Sequence, residues 1–307
     1  MRARTALALA TGGGALALAA GAHIWAWHVE INRFTLREVA LPILPPGARP
    51  IRVLHISDIH LMPDQERKLA FLRHLSSLKP HLVIDTGDNI ASAASIPPLL
   101  DALDPLLHRP GAFVMGSNDM FEPVPKNPLR YLLPDARPKG LSERTDFSLP
   151  VERLAEGLSA HGWKNLTNTR ARIHLDGLEV QLVGVDDPHL DRDTMPPPDG
   201  ASSAAGGPPA LRLGVAHAPY QRVLNAFVAD GSNLILAGHT HGGQLGIPGV
   251  GAIVTNCDLP RQQAKGLSDW RGVPLHVSAG LGASPYSNVR FATPPEATLL
   301  TLRARAR

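Results

Sequence analysis

Short apolar runs alternate along this chain with segments whose apolar residues recur at helical spacing, which is the pattern of an α/β protein. Ile51 to Ile56 reads as a buried strand. Asp64 can then cap a helix whose inner stripe is Leu69, Leu72, Leu75 and Leu78. Leu82-Val83-Ile84 and Ala112 to Met115 predict a second and third strand, and Val151 to Ala160 an amphipathic helix. Ala171 to Leu175 and Leu178 to Val185 flank Asp176-Gly177, a hairpin signal. Leu211 to Val215, Leu234 to Ala237, Leu275 to Ala279 and Thr298 to Leu302 complete the expected strands. Asp186 to Ala210, rich in proline, glycine and serine, reads as a mobile loop.

The amino-terminal end breaks this pattern. Thr5 to Val29 holds no Asp, Glu, Lys or Arg and follows Arg2 and Arg4, and as a helix it would be ~37 Å long, enough for a ~30 Å hydrocarbon core. Trp25 and Trp27 sit where interfacial anchors belong. A signal anchor is the preferred reading. The alternatives are a cleavable signal peptide, suggested by Ala20-Gly21-Ala22, and a buried helix. Arg33 and Arg37 balance Arg2 and Arg4, so charge sets the orientation only weakly. The resulting division is a signal segment at 1–32, a proline-marked connector at 33–50 and one domain over 51–307. Attachment to the cell membrane, or export, with the domain outside the cytoplasm is expected.

Composition narrows the chemistry. The 307 residues suffice for one large domain, and 44% hydrophobic content excludes a disordered chain. The 30 Lys and Arg exceed the 27 Asp and Glu by only three and are scattered, so no nucleic-acid partner is expected. A single cysteine, Cys257, excludes an internal disulfide and any Cys-rich metal site. Fourteen histidines remain, and their positions matter.

Candidate ligands fall just after predicted strands, where an α/β sheet builds its site. Asp58 and His60 follow the first strand, Asp88 the second and Asn118 the third. His217 follows the strand ending at Val215, and His239 and His241 follow Ala237. Two carboxylates, one amide oxygen and four imidazoles suit Mn, Fe or Zn, and seven ligands suit two ions better than one. Paired divalent ions hold a phosphoryl oxygen and activate water, so hydrolysis of a phosphate ester is the expected reaction.

Taken together and in this order, Asp58-x-His60, Gly87-Asp88-Asn89, the Asn118 segment, His217 and Gly238-His239-Thr240-His241 resemble the calcineurin-like metallophosphoesterase superfamily. Within it the chain is most similar to the membrane-associated, single-domain bacterial branch that includes phosphodiesterases of the YaeI and YkuE type. The resemblance implies a four-layer αββα sandwich and two divalent metal ions. It places Asp58, His60 and His241 on one ion and Asn118, His217 and His239 on the other, with Asp88 bridging. It also implies attack by metal-bound hydroxide on a phosphomonoester, phosphodiester or pyrophosphate; the expected location at the membrane, and not the resemblance, adds lipid-borne and cell-envelope esters to the candidates. A monomer is expected.

One segment departs from the family. Gly-Asn-His followed by Asp or Glu is usual there, whereas this chain has Gly116-Ser117-Asn118-Asp119. Aligned without a gap, Ser117 replaces the ligand and Asn118 the histidine. With a shift of one residue, Asn118 keeps the ligand role and Asp119 takes the place of the histidine that serves the leaving group. The second is preferred, because an amide oxygen binds a divalent cation better than a hydroxyl does. Asp119 is therefore the candidate catalytic acid. A metal-binding regulatory protein with weak turnover is the alternative. His55, His74, His81, His108, His161, His174, His189 and His276 are expected to be structural, and Lys126 and Arg130 to be solvated surface.

Overall fold

The computed structural model describes residues 20–125, 142–198 and 211–306. Most of the 1–32 segment, and both Lys126 and Arg130, lie outside them.

The first sheet has the order β1-β14-β2-β3-β4-β5, formed by β1 (Thr35–Leu44), β14 (Glu296–Ala304), β2 (Ile51–Ile56), β3 (Leu82–Asp85), β4 (Gly111–Phe113) and β5 (Lys164–Asn165). The second runs β12-β13-β9-β8-β7-β6, from β12 (Gly266–Trp270), β13 (Val273–Val277), β9 (Leu234–Ala237), β8 (Leu211–Ala216), β7 (Leu178–Gly184) and β6 (Arg170–Leu175). A small hairpin, β10 (Gly246–Ile247) with β11 (Gly251–Ala252), stands apart from both. In each sheet the central strands are parallel, β2 to β4 in one and β7 to β9 in the other.

The two sheets pack face to face. Val53, Leu82, Ile84, Val114 and Leu300 of the first meet Val180, Leu182, Leu213, Val215 and Leu236 of the second in one buried cluster. On its other face the first sheet carries α1 (Glu66–Leu75), α2 (Ile96–Leu107) and α4 (Val151–Ser159) through Leu69, Leu72, Leu99, Leu103, Leu154 and Leu158. The second carries α5 (Gln221–Ala229) through Val223, Leu224 and Phe227. The layers are therefore helix, sheet, sheet, helix, as expected.

The connector reading of 33–50 is corrected, because Thr35–Leu44 is a ten-residue strand paired in parallel with β14. Pro42 reads as a strand breaker in sequence, but β1 is an edge strand with a register shift at Pro42/Leu44, where a missing N–H is tolerated. Helix α2 is likewise disguised by proline, since it opens Ile96-Pro97-Pro98 and contains Pro105. The two leading prolines stand in the first turn, where no intrahelical N–H partner is needed. The N-cap of α1 is Gln65, one residue beyond Asp64. The proline-rich loop begins as packed structure: Asp186 and Asp187 are buried and Pro188–Leu190 is a buried 3-10 turn. Residues 199–210 lie outside the description.

Among the described residues no helix is long and apolar enough to cross a membrane. The residues beyond Ala20 belong instead to the domain surface. Ala26, Glu30 and Ile31 are buried, and Glu30 accepts the Thr293 N–H at 2.6 Å and the Trp25 Nε1–H at 2.9 Å.

Candidate metal centre

Parallel strands ending on the same edge deliver their loops to one place. Ser57 to His60 follow β2, Gly87-Asp88 follow β3, and Gly116 to Asp119, including the short helix α3 (Ser117–Met120), follow β4. His217 follows β8, and Gly238 to His241 follow β9. The seven predicted ligands all come to this edge.

Asp58, His60 and His241 form one group whose ligand atoms lie within 4.8 Å of one another, and Asp58, Asp88 and His217 form a second. His60 Nε2 is 3.2 Å from His241 Nε2, and His217 Nε2 is 3.3 Å from His239 Nδ1. One oxygen of Asp88 lies between the groups, 3.4 Å from His60 Nε2 and 3.5 Å from His217 Nε2. The Asn118 amide completes the second group, with Nδ2 2.7 Å from Asp88 Oδ2. Turning that amide over would present its oxygen to the same space.

The backbone is bent to achieve this. Asp58, His60, Asp88, His239 and His241 all have φ between 43° and 69°, the left-handed region that non-glycine residues rarely occupy. Such conformations persist where surrounding bonds enforce them. Two glycines permit the close approach. A Cβ at Gly116 would lie 2.2 Å from Asp88 Oδ1, and one at Gly238 would lie 1.9 Å from Ser57 Oγ.

The donor set fits divalent cations. His217 Nδ1 is 2.8 Å from the Thr86 carbonyl, His241 Nδ1 is 3.0 Å from that of Gly282, and His239 Nε2 is 3.1 Å from that of Asn256. A carbonyl only accepts, so His217 Nδ1 and His239 Nε2 carry a proton and the opposite ring nitrogen faces the cluster, whereas His241 Nδ1 meets both a carbonyl and the Arg290 guanidinium. Electrostatics agree. Burial works against ionising Asp88 and against charging His217, but their mutual attraction outweighs it, holding Asp88 well below the usual carboxylate range and His217 well above 6.5. A divalent cation would take that proton's place. Burial lowers His60 to about 4 and keeps His241 well below 6.5, so both are available as neutral ligands.

Asp119 departs from its predicted role. Its carboxylate is fully buried and accepts backbone N–H groups from Asn89 at 2.7 Å, Asp88 at 2.8 Å, Gly116 at 3.1 Å and Ile90 at 3.3 Å. Burial pushes it up to about 7 against those donors. A group so engaged ties the Asp88 loop to the Asn118 loop and is not presented to a leaving group. Its place in the segment matches the acidic residue of the family pattern, which favours the ungapped alignment, with Ser117 and Asn118 at the asparagine and histidine positions. Both side chains are half-buried, Asn118 against Asp88 and the Ser117 hydroxyl 3.4 Å from the Asn118 amide.

Several residues at the centre escape sequence reading. Arg290, fully buried, donates to the carbonyls of Gly282, Ala279 and Thr293, and its Nη2 lies 3.1 Å from His241 Nδ1. Lys68 reaches back from α1 to the Ile59 carbonyl at 2.6 Å, and burial lowers it to about 7. The His189 ring lies 4.5 Å from that of His239, and buried Asp187 accepts the His189 N–H at 2.8 Å. Asp187 follows β7 as the ligands follow their strands, a signal present in the sequence. Nothing local marks Arg290 or Lys68. His55 and His276 are structural as expected, a buried pair 2.9 Å apart linked through Thr86 and Ser57 to Asp58.

The calcineurin-like phosphoesterase family model matches residues 51–243. The chain is 27% identical over 264 residues to the uncharacterized metallophosphoesterase YkoQ of Bacillus subtilis, covering 82% of this chain and 84% of that one. It is 26% identical over 282 residues to the phosphodiesterase YaeI of Escherichia coli, covering 90% of each. Among solved structures, TT1561 of Thermus thermophilus aligns with a TM-score of 0.40 at 12% identity, over 76% of this chain and 91% of that one. With the family model spanning most of both sheets and all of the strand-end histidines, the chain belongs to the calcineurin-like phosphoesterases and is a hydrolase of phosphate esters.

Proposed function

We propose that this protein is a dinuclear, divalent-metal-dependent phosphoesterase that hydrolyses a phosphomonoester, phosphodiester or pyrophosphate, held at the cell membrane by its amino-terminal segment or exported. The observation that carries the reading is the pair of ligand groups sharing Asp58, with Asp88 between them. Asp58, His60 and His241 would hold one ion and His217 and His239 the other, the latter completed by the Asn118 amide, which stands at the family's histidine position but lies 2.7 Å from Asp88 Oδ2, so that Ser117→Asn would supply an amide in its stead. When bound, such ions polarise phosphoryl oxygens and lower the pKa of water. The protein's own residues do the rest. The Thr86 and Asn256 carbonyls fix the His217 and His239 tautomers, the Gly282 carbonyl and the Arg290 guanidinium hold the His241 ring in place, and the His239 N–H orients Asp58 from 2.9 Å.

The test is hydrolysis of aryl phosphomonoesters and diesters by the full chain after chelation and after return of Mn, Fe or Zn, with metal content measured alongside an Asp88→Asn variant. Turnover restored by metal, two ions per chain and inactivity of the variant are expected. One ion per chain, or turnover indifferent to chelation, refutes the reading. The inward-facing Asp119 gives specific weight to a second reading, a metal-binding protein with weak turnover, because this loop then offers no acid to the leaving group. Two bound ions without hydrolysis of any ester would establish it.

A further inference from the structure

Single apolar side chains on a surface need no explanation, but a concentration of them does. Of eleven large hydrophobic residues exposed among the described residues, nine fall in three segments: Ile24, Trp25, Trp27 and Val29; Leu245, Ile247, Val250 and Ile253; and Tyr286. Those segments are neighbours in space. The Arg290 N–H donates to the Ala26 carbonyl, the Gly246 N–H to that of Phe291, and Gln244 Nε2 to that of Ser287. The hairpin of β10 and β11 projects from this face, and Val250 at its turn is 77% exposed.

The face is also free of formal charge. Residues 20–29, 244–257 and 273–289 contain no Asp, Glu, Lys or Arg. Cations stand at its rim: the Arg33 guanidinium lies 5.6 Å over the Trp25 ring, and Arg261 donates to the Ile253 carbonyl at 3.3 Å. An apolar, uncharged surface carrying tryptophan and tyrosine, edged by arginine, has the composition of a membrane-interface contact.

We infer that the Leu245–Ile253 hairpin, Tyr286 and the Trp25/Trp27 turn form one face that docks on a lipid bilayer. The uncharged run Thr5 to Val29 argues for this occupant, because its last ten residues are themselves part of the face. Gln244 and Leu245 directly follow the His239 to Gly243 loop, and a Cβ on Gly243 would lie 2.6 Å from that of Ala252 in β11, so the hairpin is packed on the metal loop. Docking would therefore hold the metal centre beside the headgroups. The inference rests on the proposed function only for its consequence, access to phosphate esters borne on a membrane.

The full chain is reconstituted with phosphatidylethanolamine/phosphatidylglycerol vesicles, with a nitroxide placed by Ile247→Cys, Val250→Cys or Tyr286→Cys in a Cys257→Ser background. Leu267→Cys and Val124→Cys, exposed apolar positions outside the face, serve as references. Collision with dissolved oxygen and with a water-soluble nickel chelate reads depth. The three face positions are expected to favour oxygen and the references the chelate, with the oxygen preference lost at Val250→Cys when Ile247→Glu is added. Equal chelate access at all five sites, failure to associate with vesicles, or shielding accompanied by spin coupling between copies overturns the inference, the last assigning the face to a second copy. Turnover of a soluble aryl ester, recorded in parallel, separates the two readings: its absence counts against the phosphoesterase proposal and leaves the depth result standing.

Discussion

Replacing Asp119 by asparagine separates a structural carboxylate from a catalytic one. The side chain keeps its shape but loses one acceptor oxygen. Oδ1 takes the N–H groups of Asn89 and Ile90, and Oδ2 those of Asp88 and Gly116, so either orientation of the amide turns an NH₂ group on two buried donors. Burial already raises this carboxyl to about 7, so the cost is that of two buried donors left unsatisfied, about 1–3 kcal/mol each and about 2–6 kcal/mol together. Total stabilities are about 5–15 kcal/mol, which makes this a large fraction. At about 2–4 °C per kcal/mol for domains of some 150–250 residues, the melting temperature of the metal-free protein should fall by roughly 5 °C or more.

Calorimetry reads that fall, and turnover of a 4-nitrophenyl and an alkyl phosphodiester below the unfolding transition reads the chemistry. A carboxylate that only ties loops together changes both esters alike, since it acts on the position of Asp88 and Asn118. A proton donor to the leaving group would spare the melting temperature and lose about 10²-fold or more with the alkyl ester alone. That second outcome would refute the structural assignment of Asp119.

Gly116→Ala leaves an ordinary backbone, but its methyl group would lie 2.2 Å from Asp88 Oδ1 and 2.7 Å from His217 Cε1, so metal affinity measured by competition with a chelator should fall about 10–100-fold. Ser117→Asn with Asn118→His restores the family segment and should raise turnover of poor leaving groups by ~10² to 10⁴ while changing aryl esters little; no difference between ester classes would count against the missing-histidine argument. Burial lowers His276 to about 4 from 6.5, so the unfolded chain binds more protons between those values and the histidine's contribution to stability grows as pH rises from about 4 to 6.5, then levels. The change is about 3 kcal/mol, and because buried Asp58 and Asp119 are raised and slope the other way, it is read as the difference between wild type and His276→Gln in metal-free denaturation. Arg290→Met removes the guanidinium from the carbonyls of Ala279 and Thr293 and should lower both melting temperature and metal affinity, because the Gly282 loop that orients His241 loses its support.

What the sequence shows and what it hides depend on range. Strand ends are local: an apolar run stopping before Asp58, Asp88, His217 or His239 is visible in a few residues, and parallel pairing brings those ends together. The alternation of strands and helices is legible for the same reason, since each declares itself by its own periodicity, whereas their stacking in four layers is implied by the family resemblance alone. β1 is not, because its ten residues lie at an edge, only its second half is strongly buried, and Pro42 is acceptable there for a reason that depends on having one neighbour. Asp119 misleads on the same principle. A carboxylate next to a ligand looks like chemistry in sequence, and its four backbone partners, three of them about thirty residues earlier, exist only after β3 and β4 have paired.

The amino-terminal segment shows what a local reading of composition leaves out. An uncharged run ending in two tryptophans says membrane, but it reads as a tether joined to an independent domain by a proline-marked linker. The structure leaves no linker between them. Glu30 is buried against Thr293, Ala26 accepts the Arg290 N–H, and Arg290 in turn supports the loop that orients His241. Shortly beyond Glu30, at Thr35, β1 begins its ten-residue pairing with β14. A segment locked at both points cannot swing, so wherever residues 20–30 meet lipid, the orientation of the whole sandwich is set with them. An anchored enzyme on a flexible leash samples its surroundings in every direction, whereas one held this way presents one edge. That edge carries the β10–β11 hairpin and, immediately before it in the chain, His239 and His241.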